Sequence, residues 1–484
     1  METVNFKPLL SPDFIVRTLH LKVQILSRPH LPFTHVTTDS RLVIPGSLFV
    51  ALKGEKYDGI EFIEQAIFKK ARGILCKRGT AIGTHKDVCI FQVEDPLSAY
   101  RKIAGAWRKE FSIPMIAIAG SAGKTTTKEF LSAILQGKWS AVHKTQGSQN
   151  GFIGIPMTLL DLKQEHEAAV IEVGIDDVGT MQQHMSLISA GASVLTTIGP
   201  EHLEKLRDIP TVAREEGIAL SFVARTGGMI AVNLDDPWIR PHVLTIREGR
   251  KIPYSLQGIA SNMDMISGYL SPNGKDLIFQ GLGIQETKLA LPLLGQHNAS
   301  NLLAAIAIAA GLGLTGEEIQ KGILFFKGAE GRSEIRKLSG STTVICDYYN
   351  AQPASMDAGL ELLSQITAQS NKGSSSWACL ADMLELGSAE ERYHRNLAEK
   401  ILNLKIKNVL LFGTRMLALQ DELEKIGFLG NCTHFESHSE MASTLTEGLK
   451  TGDTILIKGS RSMKMEAVWK FLEDFTNSYW IPES

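Results

Sequence analysis

The sequence predicts an α/β protein of about three domains, and three observations support that prediction. The chain has 484 residues, which is too long for one hydrophobic core, because domains usually hold roughly 100 to 200 residues. Short apolar segments that end in polar residues alternate with helical patterns, which is typical of parallel sheets with crossover helices. A glycine-rich turn also joins an apolar strand to a helix near residue 120.

The first two domains follow from the order of these patterns. Residues 1–110 predict a small N-terminal α/β domain, and residues 111–327 predict a central parallel-sheet domain. In the latter, the strand Ile116–Ala119 runs directly into the glycine turn, and a helix follows through Leu135. The pair Asn273-Gly274 between apolar flanks predicts a hairpin. The other strands predicted here are Ala168–Glu172, Ala192–Thr197 and Met229–Asn233.

Residues 328–484 predict a third domain with a second alternating series. Its expected strands are Thr343–Cys346, Ser376–Leu380, Val409–Phe412 and Thr454–Ile457. The polar residues that follow these strands are Asp347, Asp382, Thr414 and Lys458. Because ligands of open α/β sheets bind beyond the carboxyl ends of the strands, we expect this edge to be the working face.

The composition excludes several classes of protein. Hydrophobic residues make up 44% of the chain, and 50 basic residues nearly balance 52 acidic ones, so nothing indicates a nucleic-acid-binding protein. The five cysteines show no CxxC spacing, which fits reduced thiols. Because residues 1–10 lack a signal-peptide pattern and no run of about 20 apolar residues occurs, we expect a cytoplasmic protein that does not span a membrane.

The glycine turn indicates a phosphate-binding loop. It matches the second half of GxxxxGK[ST], although Ile118 stands where the full pattern has its first glycine. Small residues let backbone N–H groups face phosphate oxygens at the helix N-terminus. Lys124 is then expected to reach the β- and γ-phosphates of ATP, and Thr125 to bind Mg²⁺. The alternative is a glycine turn with an ordinary surface lysine. The loop consists of Gly120, Ser121, Ala122, Gly123, Lys124, Thr125 and Thr126.

Two polar residues follow other strands of the central domain. Glu172 closes an apolar strand, and a lone strand-end carboxylate suits Mg²⁺ that is also bound to phosphate. His202 follows the next strand and is expected near the same edge. The alternatives are a solvated strand end for Glu172 and a structural histidine for His202.

The motifs together resemble the Mur ligase family. GSAGKTTTK, IEVG and PEHLE occur in the order and approximate spacing of that family's central domain, and GQHNASNLLAA resembles its G-x-H-N-x-x-N-x-x-A-A helix. GRSE, DYYNAQP and IKGSRSMKME extend the resemblance, which covers the chain from about Asp39 to Glu466. Three segments favour the member that adds D-alanyl-D-alanine to a UDP-linked muramoyl tripeptide: DSRLVIPGSLFVALKGEKYDG, GSQNGFIGIPMTLL and DYYNAQPASM.

The resemblance implies an ATP-dependent amide-bond ligase of peptidoglycan precursor synthesis, and so a role in cell shape and division. It implies an N-terminal UDP-sugar-binding domain, a central P-loop ATPase domain and a C-terminal Rossmann-like domain. UDP-muramoyl-tripeptide and D-alanyl-D-alanine would be joined through an acyl phosphate, with ATP and Mg²⁺ as cofactors. We expect a monomer without nucleic-acid or membrane partners.

The resemblance also implies roles for individual residues. Besides the phosphate loop, Asn301, Arg332 and Asp347 would contact ATP. Thr125 and Glu172 would share one Mg²⁺, and His202 would serve a second. The substrate contacts would be Ser40, Arg41, Asn150, Asn350, Lys458, Ser460 and Arg461. The alternatives are a surface arginine for Arg332, a solvated strand end for Asp347, a turn cap for Asn350, a strand-end cation for Lys458 and a plain loop for Ser460 and Arg461.

The sequence departs from the family pattern at Glu216. Mur ligases commonly carry there a lysine that CO₂ converts to a carbamate, which binds the second Mg²⁺. Our hypothesis is that the Glu216 carboxylate replaces the carbamate, since oxygen ligands still suit Mg²⁺; a solvated helix glutamate is the alternative. Together with Lys124, Glu172 and His202, Glu216 completes the predicted catalytic set. Gln149 and Ile60 are lesser departures from asparagine and histidine, respectively.

Other functions remain open from the sequence. One is another Mur-type or folylpolyglutamate-type ligase, which substrate screening would separate. The other is a nucleotide-binding scaffold that kept the fold and lost ligation, and it predicts ATP binding without substrate-dependent phosphate release. The third residue of the tripeptide and the base that deprotonates the amine are not indicated by the sequence.

Overall fold

A computed structural model describes residues 9–21, 30–54, 56–83, 85–260, 264–338, 341–370 and 373–479, with the side chains of 476–479 excepted. The N-terminal elements are α1 (Pro12–Leu19), β1 (Val36–Thr37), β2 (Leu48–Val50), α2 (Ile63–Phe68), β3 (Gly73–Lys77), β4 (Cys89–Val93) and α3 (Pro96–Arg108). Most of the segment on which the signal-peptide expectation depends, residues 1–8, lies outside the described residues.

The middle of the chain alternates strands and helices. Its elements are β5 (Met115–Ala119), α4 (Lys124–Leu135), β6 (Val142–Lys144), α5 (Gly154–Leu160), β7 (Ala168–Glu172), α6 (Thr180–Ile188), β8 (Ala192–Leu195), α7 (Leu203–Leu206), α8 (Ile209–Arg225), β9 (Met229–Asn233), α9 (Ile239–Leu244), β10 (Arg250–Ser255), β11 (Ile266–Leu270), β12 (Asp276–Gly281), β13 (Ile284–Ala290), α10 (Gln296–Gly311) and α11 (Gly316–Ile323).

The C-terminal part continues the alternation. Its elements are β14 (Glu334–Lys337), β15 (Thr343–Asp347), α12 (Pro353–Gln369), β16 (Ser376–Ala381), α13 (Glu390–Asn403), β17 (Asn408–Phe412), α14 (Leu417–Lys425), β18 (Asn431–Phe435), α15 (His438–Gly448), β19 (Thr454–Lys458) and α16 (Glu466–Tyr479).

The chain divides into two compact units. The first holds the described residues up to Ala117, with Trp139–Val173 and Gln182–Gly191. It contains a parallel sheet in the order β1-β2-β3-β4 and the parallel pair β6 and β7. Helix α3 begins where the Asp95 carboxylate accepts the backbone N–H groups of Leu97 and Ser98, an N-cap that satisfies two of the first free donors.

The second unit holds Ile118–Lys138, Gly174–Met181 and the described residues from Ala192 onward. Strands β8 to β11 pair in parallel, and β11, β12 and β13 pair antiparallel. The tight turn at Asn273-Gly274 joins β11 to β12, which confirms the predicted hairpin. Helix α8 begins after Asp208, whose side chain caps the N–H group of Thr211.

The C-terminal part of this unit is a doubly wound sheet. Its strand order is β14-β15-β19-β16-β17-β18, with only β14 antiparallel among the described strands. Strands β15, β16 and β19 are buried along their whole length, as expected for strands covered on both faces. Helices α12, α13 and α14 cover one face, and α15 and α16 cover the other.

The α/β fold class is confirmed, and most predicted strands are present. Strand β8 ends at Leu195, two residues before the predicted end. Strand β18 was not predicted, because its sequence Asn-Cys-Thr-His-Phe is mostly polar, and it lies at a sheet edge. The domain boundaries after residues 110 and 327 stay predictions. Within the described residues, we find no helix with the length and apolar character needed to cross a membrane.

Candidate active site

The predicted phosphate loop has the backbone that such a loop needs. Strand β5 is fully buried and leads into Gly120 and Gly123, which have φ angles of 123° and 83°. Non-glycine residues rarely adopt such angles, and a Cβ atom at Gly123 would collide with the Asn301 side chain. Helix α4 then starts without a side-chain cap, and a helix N-terminus favours anions through its N–H groups and its dipole.

Lys124 points back into the loop and towards an acidic residue that the motif did not indicate. Its ammonium donates to the Gly120 carbonyl and lies 3.5 Å from the Glu201 carboxylate. Glu201 is 1% exposed, so it is a buried counter-ion of the loop lysine. It lies in the PEHLE motif, immediately before His202, but it was not predicted as a site residue.

Glu216 contacts the same loop from helix α8. Its Oε2 accepts the Gly120 N–H at 2.7 Å, and the residue is fully buried. The solvated-helix alternative for Glu216 is therefore wrong. Burial and the neighbouring Glu201 carboxylate raise the pKa of Glu216. Among the described residues, Oε1 of Glu216 and Oε1 of Glu201 are buried and have no hydrogen-bond partner.

A cavity of about 360 Å³ extends from this loop within the second unit. Several predicted ATP contacts line it together, which is what a nucleotide site requires. These are Ala122, Gly123, Thr126, Asn301, Arg332 and Asp347. Lys458 also lines the cavity. So do residues that were not predicted as site residues, among them Asn233, Asp236, His297 and Ser333.

Asp347 is held at the cavity by two contacts. Its Oδ2 lies 2.5 Å from the Lys458 ammonium, and its Oδ1 accepts the Ser333 N–H at 2.9 Å. Lys458 also donates to the Asn350 carbonyl at 3.1 Å. Asp347 and Lys458 lie opposite each other on the paired strands β15 and β19, which explains why their side chains form an ion pair. Burial lowers the pKa of Lys458, while Asp347 opposes this effect.

Two arginines contact one aromatic ring beside the cavity. The Arg332 guanidinium carbon lies 4.3 Å from the centroid of the Tyr349 ring, and that of Arg461 lies 5.2 Å from it. Such cation–π contacts orient a guanidinium. The Nε of Arg332 is buried and has no hydrogen-bond partner among the described residues, so this donor can serve an anion. Tyr349 was not a predicted site residue.

His202 and Ser460 both contact the loop that follows β16. His202 Nδ1 lies 2.7 Å from Glu385 Oε2, and the hydrogen bond from His202 lowers the pKa of Glu385. Ser460 is 4% exposed, and its hydroxyl accepts the Leu384 N–H at 3.0 Å. Glu385 had no motif signal, because its contact joins residues distant in the sequence.

Four predicted residues lie in the first unit. Glu172 is buried, and its Oε1 accepts a hydrogen bond of 2.8 Å from Asn150, so it is not a solvated strand end. Ser40 donates to Gln65. Arg41 is an exposed residue that pairs with Asp39. The hydrogen bond from the Arg41 side chain holds the pKa of Asp39 below its usual value.

Comparisons with known proteins cover nearly the whole chain. Three family models match: the Mur ligase family catalytic domain at residues 32–120, the Mur ligase middle domain at 118–309 and the Mur ligase glutamate ligase domain at 331–461. The UDP-N-acetylmuramoyl-tripeptide–D-alanyl-D-alanine ligase of Bacillus subtilis is 31% identical over 90% of this chain and 92% of its own. The enzyme of that name from Synechocystis is 32% identical over 90% of both chains. The crystal structure of MurF from Acinetobacter baumannii is similar with a TM-score of 0.82 and 25% identity, over 96% of this chain and 99% of its own.

Proposed function

The chain belongs to the Mur ligase family, and from this premise we infer how its residues carry out the ATP-dependent addition of D-alanyl-D-alanine to UDP-N-acetylmuramoyl-tripeptide. One observation supports the assignment of residues best. The phosphate loop and Arg332, Asp347 and Lys458 line one cavity, so the central and C-terminal parts of the chain both contribute to the proposed ATP site.

The proposed reaction begins with activation of the tripeptide carboxylate. A carboxylate oxygen is a poor leaving group, so the carboxylate takes the γ-phosphoryl group of ATP and becomes an acyl phosphate. The helix N-terminus and Lys124 neutralise charge on the transferring group, which is the main requirement of phosphoryl transfer. Arg332 supplies a further donor to the phosphates. The dipeptide amine then attacks the acyl carbon, and inorganic phosphate leaves.

The oxygen donors at the phosphate loop fit a magnesium ion that arrives with ATP. Mg²⁺ in such sites uses one or two carboxylates together with phosphate oxygens and water, and the unpartnered Oε1 atoms of Glu201 and Glu216 are of this kind. Among the described residues, no group of three or more His, Cys, Asp or Glu forms a metal cage, so phosphate would supply much of the coordination. Bound there, Mg²⁺ would stabilise negative charge on the phosphoryl oxygens. Thr125, Glu172, His202 and Glu216 stay the predicted ligands.

The activity is tested by incubating the protein with ATP, Mg²⁺ and UDP-muramoyl-tripeptide, with and without D-alanyl-D-alanine. We expect phosphate release that needs both substrates, and a product heavier than the acceptor by the dipeptide less water. Binding of ATP without any product would instead indicate a nucleotide-binding scaffold. Lysine and diaminopimelate acceptors, compared in parallel, identify the third residue of the tripeptide.

Glu216 gives a prediction about CO₂. If its carboxylate stands in for a carbamate, removing CO₂ and bicarbonate leaves the kcat of the wild-type protein unchanged, because no lysine must be modified. A Glu216→Lys variant should lose activity in CO₂-free buffer and regain part of it when bicarbonate is added. The hypothesis that Glu216 stands in for the carbamate would be contradicted by a wild-type protein that needs bicarbonate. A Glu216→Ala variant with full kcat would contradict it too.

A further inference from the structure

A contact between His202 and Glu385 joins the central and C-terminal parts of the second unit. His202 Nδ1 lies 2.7 Å from Oε2 of Glu385, which stands between β16 and α13. The side chains are 30% and 58% exposed, and ion pairs this exposed stabilise a fold only slightly. The effect of this pair is therefore expected in activity rather than in stability.

The loop that carries Glu385 is held by hydrogen bonds at the three residues that precede it. The Met383 N–H donates to His394 Nε2 at 3.0 Å, and the Leu384 N–H donates to the Ser460 hydroxyl at 3.0 Å. The Ser460 N–H in turn donates to the Asp382 carbonyl at 3.1 Å. Glu385 thus projects from a supported loop.

Both partners of the ion pair have unusual backbone conformations. The φ angle is 47° at His202 and 64° at Glu385, and side chains other than glycine disfavour this left-handed region. Gly387, with φ of 57°, passes so near Glu204 that an added Cβ would lie 3.3 Å from the Glu204 Cα and N atoms. Strained residues of this kind persist where packing imposes them and often lie at functional sites.

We propose that Glu385 is a positioning residue that accepts the Nδ1–H of His202 and thereby aims the Nε2 of that imidazole at the phosphate-loop site. A carboxylate on one ring nitrogen fixes the tautomer and orientation of a histidine and makes the other nitrogen a better ligand. The inference rests on the proposed role of His202 as a ligand in the ligation reaction. Because Glu385 belongs to the C-terminal part, the imidazole is aimed only while that part packs against the segment that carries His202.

The test compares Glu385→Ala and Glu385→Gln with Glu361→Ala as the matched control. Glu361 is also half-exposed, and it pairs with Lys400 in the C-terminal part without contacting the proposed site. We expect Glu385→Ala to lower kcat about 10- to 100-fold, as losses of such supporting carboxylates do, with little change in KM for ATP. The Mg²⁺ concentration for half-maximal rate should rise. Glu385→Gln should keep most of the activity, because its amide oxygen still accepts the Nδ1–H.

A second readout needs no catalysis. Nitrogen-15 shifts of the His202 ring, assigned with a His202→Gln variant, are measured in the nucleotide-free protein. The Nδ1–H tautomer is expected in the wild type and in Glu385→Gln, and a shift towards Nε2–H is expected in Glu385→Ala. If Glu385→Ala unfolds, Glu385→Gln still tests the proposal, because a changed His202 tautomer in Glu385→Gln would overturn it.

The outcomes separate this proposal from the proposed function. Equal kcat for Glu385→Ala and Glu361→Ala, or an unchanged His202 tautomer in Glu385→Ala, would overturn the positioning role while wild-type ligation stands. If the wild type shows no ligation, the proposed use of His202 in ligation is overturned. A tautomer shift in Glu385→Ala would still support the contact between Glu385 and His202.

Discussion

Replacing Lys124 by alanine is expected to lower kcat for ligation about 10²- to 10³-fold, the loss typical when one preorganised donor to a developing oxyanion is removed. In the structure the Lys124 ammonium donates to the Gly120 carbonyl and faces Glu201, so it lies at the start of the phosphate loop. Phosphate release under saturating ATP and both substrates measures the effect. Lys138→Ala is the control, because that lysine donates to the Gly313 carbonyl outside the proposed site.

The same substitution has a second expected consequence. Removing the ammonium leaves the buried Glu201 carboxylate without its cation, with Glu216 also buried nearby, and a charge is costly to bury unpaired. Lys124→Ala should therefore unfold at a lower temperature than the wild type. Adding Glu201→Gln should restore part of the thermal stability without restoring kcat. Full activity in Lys124→Ala would contradict the proposed phosphate role.

Replacing Lys458 by methionine is expected to lower the free energy of unfolding by about 3 to 5 kcal/mol, because breaking a buried ion pair leaves an uncompensated charge. Lys458 is 1% exposed, and its ammonium holds both Asp347 and the Asn350 carbonyl. Denaturant unfolding measures the loss. ATP affinity should fall as well, because Asp347 loses one of the two contacts that keep it at the cavity.

Two further variants separate the effect of the broken ion pair on stability from the effect of losing a lysine side chain. Lys458→Met with Asp347→Asn should recover part of the lost stability, since the second change removes the unpaired charge. Lys425→Met is the control, because Lys425 pairs with Glu422 on an exposed surface and should leave stability nearly unchanged. Equal stability of Lys458→Met and Lys425→Met would contradict the structural role of the buried pair.

The phosphate loop shows what sequence reasoning does well. Strand β5, the glycines and helix α4 are contiguous in the chain, so their residue types specify the backbone locally. The positive φ angles at Gly120 and Gly123 agree with the prediction from spacing alone. The hairpin at Asn273-Gly274 was predicted correctly for the same reason, because its turn is formed by residues that are adjacent in the chain.

Contacts between distant residues were predicted less completely. Glu216 was selected because it departs from a family pattern, but its burial and its hydrogen bond to Gly120 could not be read from helix periodicity. Glu201 and Tyr349 lie within quoted motifs but were not predicted as site residues, and Glu385 carried no motif signal. Each of the three contacts a predicted site residue. Lys458 was expected at a working edge, and its pairing with Asp347 depends on the register of β15 and β19.

The sequence by itself determined the α/β class, the phosphate loop and the family, because these depend on apolar periodicity, local turn chemistry and ordered motifs. Only the tertiary structure decided which polar groups meet: Glu216 with the Gly120 N–H, Lys458 with Asp347 and His202 with Glu385. The physical reason is that secondary structure follows from neighbours within a few residues, whereas an ion pair forms only after strand order and helix packing bring remote segments within a few ångströms.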